Sequence, residues 1–374
     1  MAIYTFTPDD IEPLLEGLAI LGTGGGGSPE WGKAIMHNEF AHNRYPQIIP
    51  LDEISDTAMV VSGGIMGSVK KLEEFGTEAI MAHWEERFEL GEVTKVMEGI
   101  LGKTIHHMVP FEMGGLNTPV VLSLGARMGF PIIDGDALGR SAPETQMTSF
   151  IGHGVSLTPM PLIDYYGNVV IVQDAINATY PDQLGRWVVT NGGGLGANNH
   201  YPMTGRQAKQ AVVPGTISTA LRLGREVLAA RASRRDPVSA AALQLRGKKL
   251  FAGEITHLKE EESLGFYFTT ATLAGIGPYE GQSAQLTIKN ETMLLEIGRR
   301  ARAIFPDLVL LLEPGTARGI MSVELRMGWR VELVGVPCHP RLRTSARSEL
   351  GKEAFSPTRY GRPDLSYQPI EELE

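Results

Sequence analysis

The segment Leu21-Gly22-Thr23-Gly24-Gly25-Gly26-Gly27-Ser28-Pro29 decides how the first part of this chain is expected to fold. Each glycine in such a run costs backbone entropy, about 0.5–1 kcal/mol relative to alanine in regular structure. Such a run is therefore expected where side chains would prevent another group from lying close to the backbone. We expect something to approach this backbone closely.

Helical patterns flank the glycine loop on both sides. Ser28 is a suitable N-cap for the helix that follows, and Pro29 suits its first position. The loop lacks the preceding strand of a Rossmann fingerprint and the Gly-Lys-Ser/Thr of a P-loop. It is interpreted either as a cradle of backbone amides for an anion or polar ligand or as a tight turn without a ligand. The preceding helix is predicted from apolar residues at helical spacing, Ile11, Leu14, Leu15, Leu18 and Ala19.

The composition is that of an ordinary globular chain. Its 374 residues, 43% of them hydrophobic, favour two domains over one. The net charge of −9 argues against a nucleic-acid partner. No apolar run reaches the roughly 18 residues of a membrane helix, and the first ten residues do not form a signal segment. One cysteine, Cys338, excludes an internal disulfide and predicts a cytoplasmic protein.

Strand and helix patterns alternate between residues 58 and 136. Strands are predicted over 58–62, 105–111 and 131–133, and helices over 84–101 and 118–128. This alternation predicts an α/β fold with a three-layer, mostly parallel sheet. Ligands bind beyond the carboxyl ends of such strands. Those ends carry Gly63, Gly64, Glu112, Gly114, Gly115, Asn117, Asp134 and Asp136.

The second half of the chain has a different character. A hairpin is predicted over 155–174, and a second glycine run, 191–196, precedes Asn198, Asn199 and His200. That run is interpreted as a lid, a ligand-facing loop or a plain flexible loop. A helix is predicted over 216–232 and strands over 251–254, 265–272, 284–288 and 330–336. Because 231–237 is charged and ends in proline, we predict an α/β domain over 1–240 and a smaller β-rich domain over 241–374.

Two acidic residues and one histidine are the first candidates for chemistry. Asp134 and Asp136 share one face of an extended segment, where they can hold a divalent ion, divide acid and base roles, or cap the next turn. His339, held between Cys338 and Pro340, suits a metal ligand or a general acid or base. Cys338 is a ligand, a nucleophile or a buried structural cysteine. Glu144 is a third acid or an ion-pair partner of Arg140.

Taken in order, several segments resemble the S-methyl-thiohydantoin desulfurase family, long known as a domain of unknown function. The resemblance covers about residues 15–369. The segments that carry it are LGTGGGG at 21–27, FEMGGLN at 111–117, DGDALGR at 134–140, IKNE at 288–291 and GVPCHP at 335–340. Cys338 departs from the small residue that we expect before the matching histidine.

The resemblance implies a fold and an activity. The fold is an N-terminal three-layer α/β domain followed by a C-terminal barrel-like domain. The activity is metal-dependent hydrolytic removal of sulfur from a thiohydantoin ring, which gives a hydantoin and hydrosulfide or methanethiol, as in ergothioneine and hydantoin catabolism. Zinc is the expected ion, with manganese or cobalt as alternatives. Partners are a small heterocyclic substrate, a hydantoinase or oxoprolinase, and further copies of the chain.

Together, the residues and the resemblance predict a site around one cavity. Glu112, Asp134, Asp136 and His339 are the expected catalytic residues, and Asp134, Asp136, His339 and Cys338 are the expected metal ligands. Gly24, Gly25, Gly26, Gly27 and Asn117 are expected to bind the substrate. Two alternatives stay open, namely hydrolysis of another cyclic amide or imide, and a non-catalytic ligand-binding partner of a hydantoinase or oxoprolinase.

Overall fold

The two helices predicted around the glycine loop are present. The computed structural model describes residues 3–67, 74–263 and 265–373. Helix α1 (Ile11–Leu21) precedes the loop and helix α2 (Pro29–Ala41) follows it. The Ser28 hydroxyl accepts a hydrogen bond from the Glu30 N–H at 3.3 Å, so the predicted N-cap is confirmed.

Of the other predicted helices, two are confirmed and one is divided, and the structure contains further helices that were not predicted. The helix predicted over 84–101 is wrong, because Arg87 and Phe88 are extended and divide it into two helices. The predicted helix over 216–232 is confirmed. No helix in the described ranges is both long and apolar enough to cross a membrane. These helices are α3 (Thr77–Glu86), α4 (Glu89–Leu101), α5 (Asn117–Met128), α6 (Thr179–Asn191), α7 (Gly205–Ala211), α8 (Thr216–Ala232), α9 (Pro237–Gln244), α10 (Pro340–Arg347) and α11 (Glu349–Ala354).

The first part of the chain forms two sheets. A four-stranded sheet has the order β1-β2-β5-β9, made of β1 (Tyr4–Thr5), β2 (Gln47–Pro50), β5 (Ile132–Asp136) and β9 (Val213–Pro214). A five-stranded sheet has the order β4-β3-β8-β6-β7, made of β3 (Met59–Gly67), β4 (His107–Pro110), β6 (Met160–Asp164), β7 (Val169–Val172) and β8 (Leu195–Thr204). The antiparallel β6–β7 pair confirms the predicted hairpin.

The α/β class is confirmed, but the sheets are mixed rather than mostly parallel. Among the described strands of this part, only β2 with β5 and β3 with β4 pair in parallel, while β8 runs antiparallel to β3 and β6. Strand β3 also continues through Gly63, where we expected it to end. A Cβ atom on Gly63 would lie 2.6 Å from the Asn198 carbonyl oxygen, so glycine permits close pairing here. The three-layer arrangement stays a prediction.

The second part of the chain is a curled antiparallel sheet. Its strand order is β14-β13-β12-β11-β10-β16-β15, and β15 at one edge contacts β13 and β14 near the other. The four strands predicted in this region are confirmed. The strands are β10 (Lys248–Ser263), β11 (Phe266–Gly275), β12 (Ser283–Lys289), β13 (Glu291–Ile297), β14 (Arg300–Ile304), β15 (Leu308–Leu312) and β16 (Arg330–Val336).

The two parts share a hydrophobic core. Leu308, Leu310 and Leu312 of β15 are buried in the same cluster as Leu14 and Leu18 of α1. The other faces of the curled sheet surround a separate cluster that includes Phe251 and Leu333. The domain boundary at residues 240 and 241 stays a prediction.

The glycine loop packs backbone against backbone. A Cβ atom on Gly26 would lie 2.8 Å from the Gly22 Cα, closer than real Cβ atoms approach other atoms, and 3.0 Å from the Gly114 Cα. On the other side of the loop, the Gly24 N–H donates to the Ile320 carbonyl at 3.1 Å, and its carbonyl accepts from the Ser322 N–H at 2.8 Å. The expected close approach is therefore made, at least in part, by the chain itself.

The substitution Gly114→Ala is expected to destabilise the protein by about 1–3 kcal/mol, since the new methyl group overlaps the Gly26 carbonyl in a packed interior. Gly99→Ala is the matched control, because a Cβ on Gly99 meets open space on helix α4, where alanine adds up to about 1 kcal/mol of helix propensity. Urea unfolding of both variants and the wild type measures the difference. A Gly114→Ala protein as stable as the wild type would contradict the packing described above.

Candidate active site

A cavity of about 120 Å³ lies where the glycine loop, the polar ends of strands and the start of β13 meet. Five predicted substrate-site or catalytic residues line it, namely Gly25, Gly26, Gly27, Glu112 and Asn117. Gly24 lines an adjoining cavity of about 370 Å³ instead. The structure therefore brings the glycine loop and the segment after β4 to one place.

Glu112 is held by three neighbouring groups. The Asn117 side-chain amide donates to Glu112 Oε1 at 2.8 Å, and the Ala142 N–H donates to Glu112 Oε2 at 2.9 Å. Asn117 is itself fixed, because its Oδ1 accepts from the Ile65 N–H of β3 at 2.9 Å. Thr118 Oγ1 donates to the Glu112 carbonyl at 3.0 Å. The carboxylate of Glu112 is thus oriented by β3, α5 and the loop after β5.

A second glutamate, Glu291, enters the cavity from the β-rich part. It is 2% exposed, and its Oε2 has no hydrogen-bond partner among the described residues. A Cβ on Gly25 would lie 2.6 Å from the Glu291 carboxyl carbon, so glycine at this position makes room for the carboxyl group. We did not predict this residue as a site residue, although its segment, IKNE, was among those that carry the family resemblance.

The two glutamates titrate near neutral pH. Burial raises the pKa of Glu112 to about 7, against the lowering effect of the Asn117 and Ala142 hydrogen bonds and the Arg140 charge. Burial and the charge of Glu112 raise the pKa of Glu291 to about 8. Two carboxyl groups that share a dry site do not ionise together easily. At neutral pH the pair therefore holds a proton that can be exchanged with a ligand.

Arg140 lies beneath this pair and connects the two parts of the chain. Its guanidinium donates to the carbonyls of Ser141 at 3.0 Å, Asp307 at 2.7 Å and Thr292 at 3.2 Å. Burial lowers the pKa of Arg140 to about 10, so the group stays charged at neutral pH. Its charge limits the upward pKa shifts of Glu112 and Glu291.

His200 is a further polar group on the cavity wall. Its ring packs edge-on against Phe111 and Tyr201, with ring centroids 5.7 and 5.2 Å away, and its Nδ1 has no partner among the described residues. Burial lowers the pKa of His200 to about 3, so the imidazole is neutral. In the sequence, His200 follows the second glycine run. In the structure it lies within strand β8, which carries Asn198 and His200 to the cavity.

Glu144 also lines the cavity, but it is not a free acid. Its carboxylate pairs with Lys289 and Arg359, and the Gln146 amide donates to it at 2.7 Å. The predicted pairing with Arg140 is not formed, since the Arg140 guanidinium contacts backbone carbonyls instead.

Asp134 and Asp136 lie outside the lining of the cavity. The Asp134 carboxylate accepts from the Ser218 N–H at 3.0 Å and from its hydroxyl, which anchors the first turn of α8. Asp136 is fully buried and accepts from the Gly139 N–H at 2.7 Å. Asp136 therefore caps the next turn, as one alternative predicted, whereas Asp134 binds the first turn of a helix that is distant in sequence. Burial raises the pKa of Asp136 well above its usual range.

His339 and Cys338 lie outside the lining as well. His339 is the N-cap of α10, and its Nδ1 accepts from the Arg341 N–H at 3.2 Å. The Cys338 N–H donates to Asp307 Oδ1 at 2.7 Å, and its thiol lies 3.5 Å from the Tyr367 hydroxyl. Burial raises the pKa of Cys338 to about 12, so the thiol is protonated. Neither residue lines the cavity at the glycine loop, so their predicted roles as metal ligands or catalytic groups stay predictions.

The described residues do not fit the metal that the resemblance implies. Within 3–67, 74–263 and 265–373, no three His, Cys, Asp or Glu side chains are grouped so that they could hold an ion. Catalytic zinc sites use three protein ligands. The chemistry that this cavity offers by itself is acid–base chemistry between two carboxyl groups.

A mixed α/β unit and a curled β-sheet enclose a small cavity that holds two buried carboxyl groups. This arrangement is typical of an enzyme that acts on a small molecule. The chain belongs to the S-Me-THD-like family, since the models of its N-terminal and C-terminal domains match residues 9–174 and 176–370. The predicted family is thereby confirmed, and its name implies a desulfurase-type enzyme.

One solved structure with the same fold is a crystal structure of a protein from Chromobacterium violaceum. It aligns with a TM-score of 0.74 and 22% sequence identity, over 98% of this chain and 100% of that chain. At this identity the likeness shows the fold alone. A search of curated proteins gave no match.

The raised pKa of Glu291 predicts a pH-dependent stability. The folded-state pKa lies above the usual 4.5, so protonation of Glu291 favours the folded state. This contribution to the free energy of unfolding is fully present below about pH 4.5 and is lost as the pH rises through about 8. Glu291→Gln removes this loss. Relative to wild type, its free energy of unfolding is expected to increase between pH 5 and 8, by at most about 1.4 kcal/mol per pH unit.

Urea unfolding at several pH values measures this difference. The exposed Glu280→Gln is the matched control and is expected to follow the wild type at every pH. A Glu291→Gln curve parallel to that of the wild type would show that the buried carboxyl group does not titrate in this range.

Proposed function

We propose that this protein removes sulfur hydrolytically from a thiohydantoin ring and releases hydrosulfide, or methanethiol from an S-methyl ring, with a hydantoin as the other product. Family membership supports the substrate class. The observation that carries the proposal is the pair Glu112 and Glu291, which are buried on one cavity and have pKa values raised toward neutrality. General acid–base catalysis is most efficient when the pKa of the catalytic group lies near the working pH.

The environments of the two glutamates support a division of roles between them. Glu112 accepts hydrogen bonds from Asn117 and Ala142 that favour its carboxylate form, so it acts as the base. Glu291 has an oxygen without a hydrogen-bond partner among the described residues, and burial favours its protonated form, so it acts as the acid. Two carboxyl groups with different surroundings can divide these roles in the same site.

The reaction proceeds by addition and elimination. The Glu112 carboxylate takes a proton from water as the water oxygen bonds to the carbon that bears sulfur, and the C=S π electrons move to sulfur. Glu291 then donates its proton to sulfur. The C–S bond breaks with its electron pair on sulfur, and the Glu291 carboxylate takes the hydroxyl proton of the intermediate, so that C=O forms. The proton on Glu112 leaves with the product, and the sum is water consumed and hydrogen sulfide released.

An S-methyl ring follows the same sequence with one difference. The electrons of the C=N bond move to the ring nitrogen when water adds, and the nitrogen then takes the proton that Glu112 removed from water and keeps it in the hydantoin product. The methylthio group leaves as methanethiol after protonation by Glu291.

Backbone amides of the glycine loop can stabilise the charge that develops on the substrate. The N–H groups of Gly25 and Gly27 have no acceptor among the described residues, whereas that of Gly26 donates to the Gly22 carbonyl. Both free amides belong to residues on the cavity wall. Fixed donors of this kind bind an anionic intermediate more strongly than the neutral substrate. The neutral imidazole of His200 offers a further hydrogen-bonding group for the ring.

Glu112→Gln and Glu291→Gln are each expected to lower the rate of sulfide release from 2-thiohydantoin by about 10²–10⁴-fold, since each removes one proton-transfer group. The wild-type rate should have a bell-shaped pH profile, because Glu112 must be ionised and Glu291 protonated. The residual activity of Glu291→Gln should lose the alkaline limb, and that of Glu112→Gln the acidic limb.

Glu280→Gln is the control for a surface carboxylate and should match the wild type. Circular dichroism establishes that each variant is folded. Folded glutamine variants with wild-type rates on every thiohydantoin tested would falsify the acid–base assignment.

Metal dependence and a hydantoinase or oxoprolinase partner stay predictions from the resemblance. Elemental analysis of the purified protein for zinc, manganese and cobalt tests the first, and co-purification tests the second. The cytoplasmic location and the place in ergothioneine catabolism are likewise proposals.

A further inference from the structure

A second cavity adjoins the one that holds the glutamates. It has a volume of about 370 Å³, within the range of about 300–1,000 Å³ that is typical of small-molecule sites. Gly25, Met66, Gly67, Arg186 and Asn290 line both cavities. The two spaces are therefore neighbouring chambers of one site.

The walls of the larger chamber are mainly apolar. Val189 of α6 lies on one side and Phe266 at the start of β11 on another, and both are buried. Met66, Met321 and Val323 complete the apolar lining. Surfaces of this kind bind apolar groups by removing them from water.

Two polar side chains on these walls, those of Arg186 and Ser322, are already bonded within the protein. Arg186 donates to Asp182 Oδ2 at 2.8 Å and to the Pro143 carbonyl, while its guanidinium lies 3.8 Å from the centre of the Phe266 ring. The Ser322 hydroxyl donates to the Gly24 carbonyl at 3.0 Å. The positive charge of Arg186 is thus paired with the Asp182 carboxylate rather than with a ligand.

We propose that this second chamber is the subsite for the substituent of the thiohydantoin ring and that it selects an apolar substituent, aromatic or branched aliphatic. The inference rests on the proposed function, because it places the reacting ring in the smaller chamber beside Glu112 and Glu291. Two of the five residues that line both chambers, Gly25 and Gly67, contribute no side chain to the boundary between them. A ring in the first chamber can therefore extend its substituent into the second.

Binding of hydantoins tests the subsite without requiring turnover. Calorimetry with unsubstituted hydantoin, 5-benzylhydantoin, 5-isobutylhydantoin and 5-(2-carboxyethyl)hydantoin gives the affinities. We expect the benzyl and isobutyl compounds to bind at least about tenfold more tightly than the unsubstituted and carboxyethyl compounds, because one methylene in an apolar pocket is worth roughly 10–200-fold. Tighter binding of the carboxyethyl compound, or equal binding of all four, would overturn the proposal.

Variants that fill the chamber provide the second measurement. Val323→Phe is expected to lower the ratio of 5-benzylhydantoin to hydantoin affinity by at least about tenfold, since the added ring occupies the space of the substituent. Val189→Phe is a second such variant from another element. Val169→Phe is the matched control, because Val169 is exposed on β7 and lines neither chamber. An unchanged ratio in folded Val323→Phe and Val189→Phe would contradict the subsite.

Sulfide release from the corresponding thiohydantoins separates the two proposals. Release from unsubstituted 2-thiohydantoin without preference for the 5-benzyl compound would overturn the subsite and leave the proposed function standing. Preferred binding of 5-benzylhydantoin without sulfide release from any thiohydantoin would overturn the proposed function and support the subsite.

Discussion

Direct contact between two glycine-containing loops is the constraint on which the rest of the site depends. Gly22 and Gly26 lie against Gly114 so closely that a methyl group on either Gly26 or Gly114 would overlap backbone atoms. This contact fixes the segment after β4, and with it Glu112. The same loop passes beside Asn290 and Glu291, where Gly25 leaves room for a carboxyl group. Because the glycine loop contacts both segments, two glutamates that are far apart in sequence lie on one cavity.

Burial of these glutamates is costly for folding and useful for chemistry. A carboxyl group without water around it keeps its proton to higher pH, and the pKa values of both groups move toward neutrality. Arg140 limits the cost because its buried positive charge faces the pair. A site of this kind is less stable than an apolar core would be, which is a common property of catalytic centres.

Local patterns predicted much of the fold, and long-range contacts explain the rest. Ser28, Pro29 and the apolar spacing before the glycine loop determine helix ends by nearby contacts, so those elements were predicted correctly. Glu112 and Asn117 were predicted because they follow a strand directly. Asp134 and Asp136 were grouped with them by the strand-end rule for one parallel sheet, whereas β4 and β5 lie in different, mixed sheets. Glu291 and His200 reach the cavity through tertiary packing that no local pattern contains.

Arg140 makes the two halves of the chain depend on each other. Its guanidinium is fixed by carbonyls of the β-rich half, although the residue belongs to the α/β half. Glu112 and Glu291 are divided between the halves in the same way. Separation of the halves would part Glu112 from Glu291 and would leave the Arg140 guanidinium without the Asp307 and Thr292 carbonyls. Neither half is therefore expected to keep the cavity when it is separated from the other.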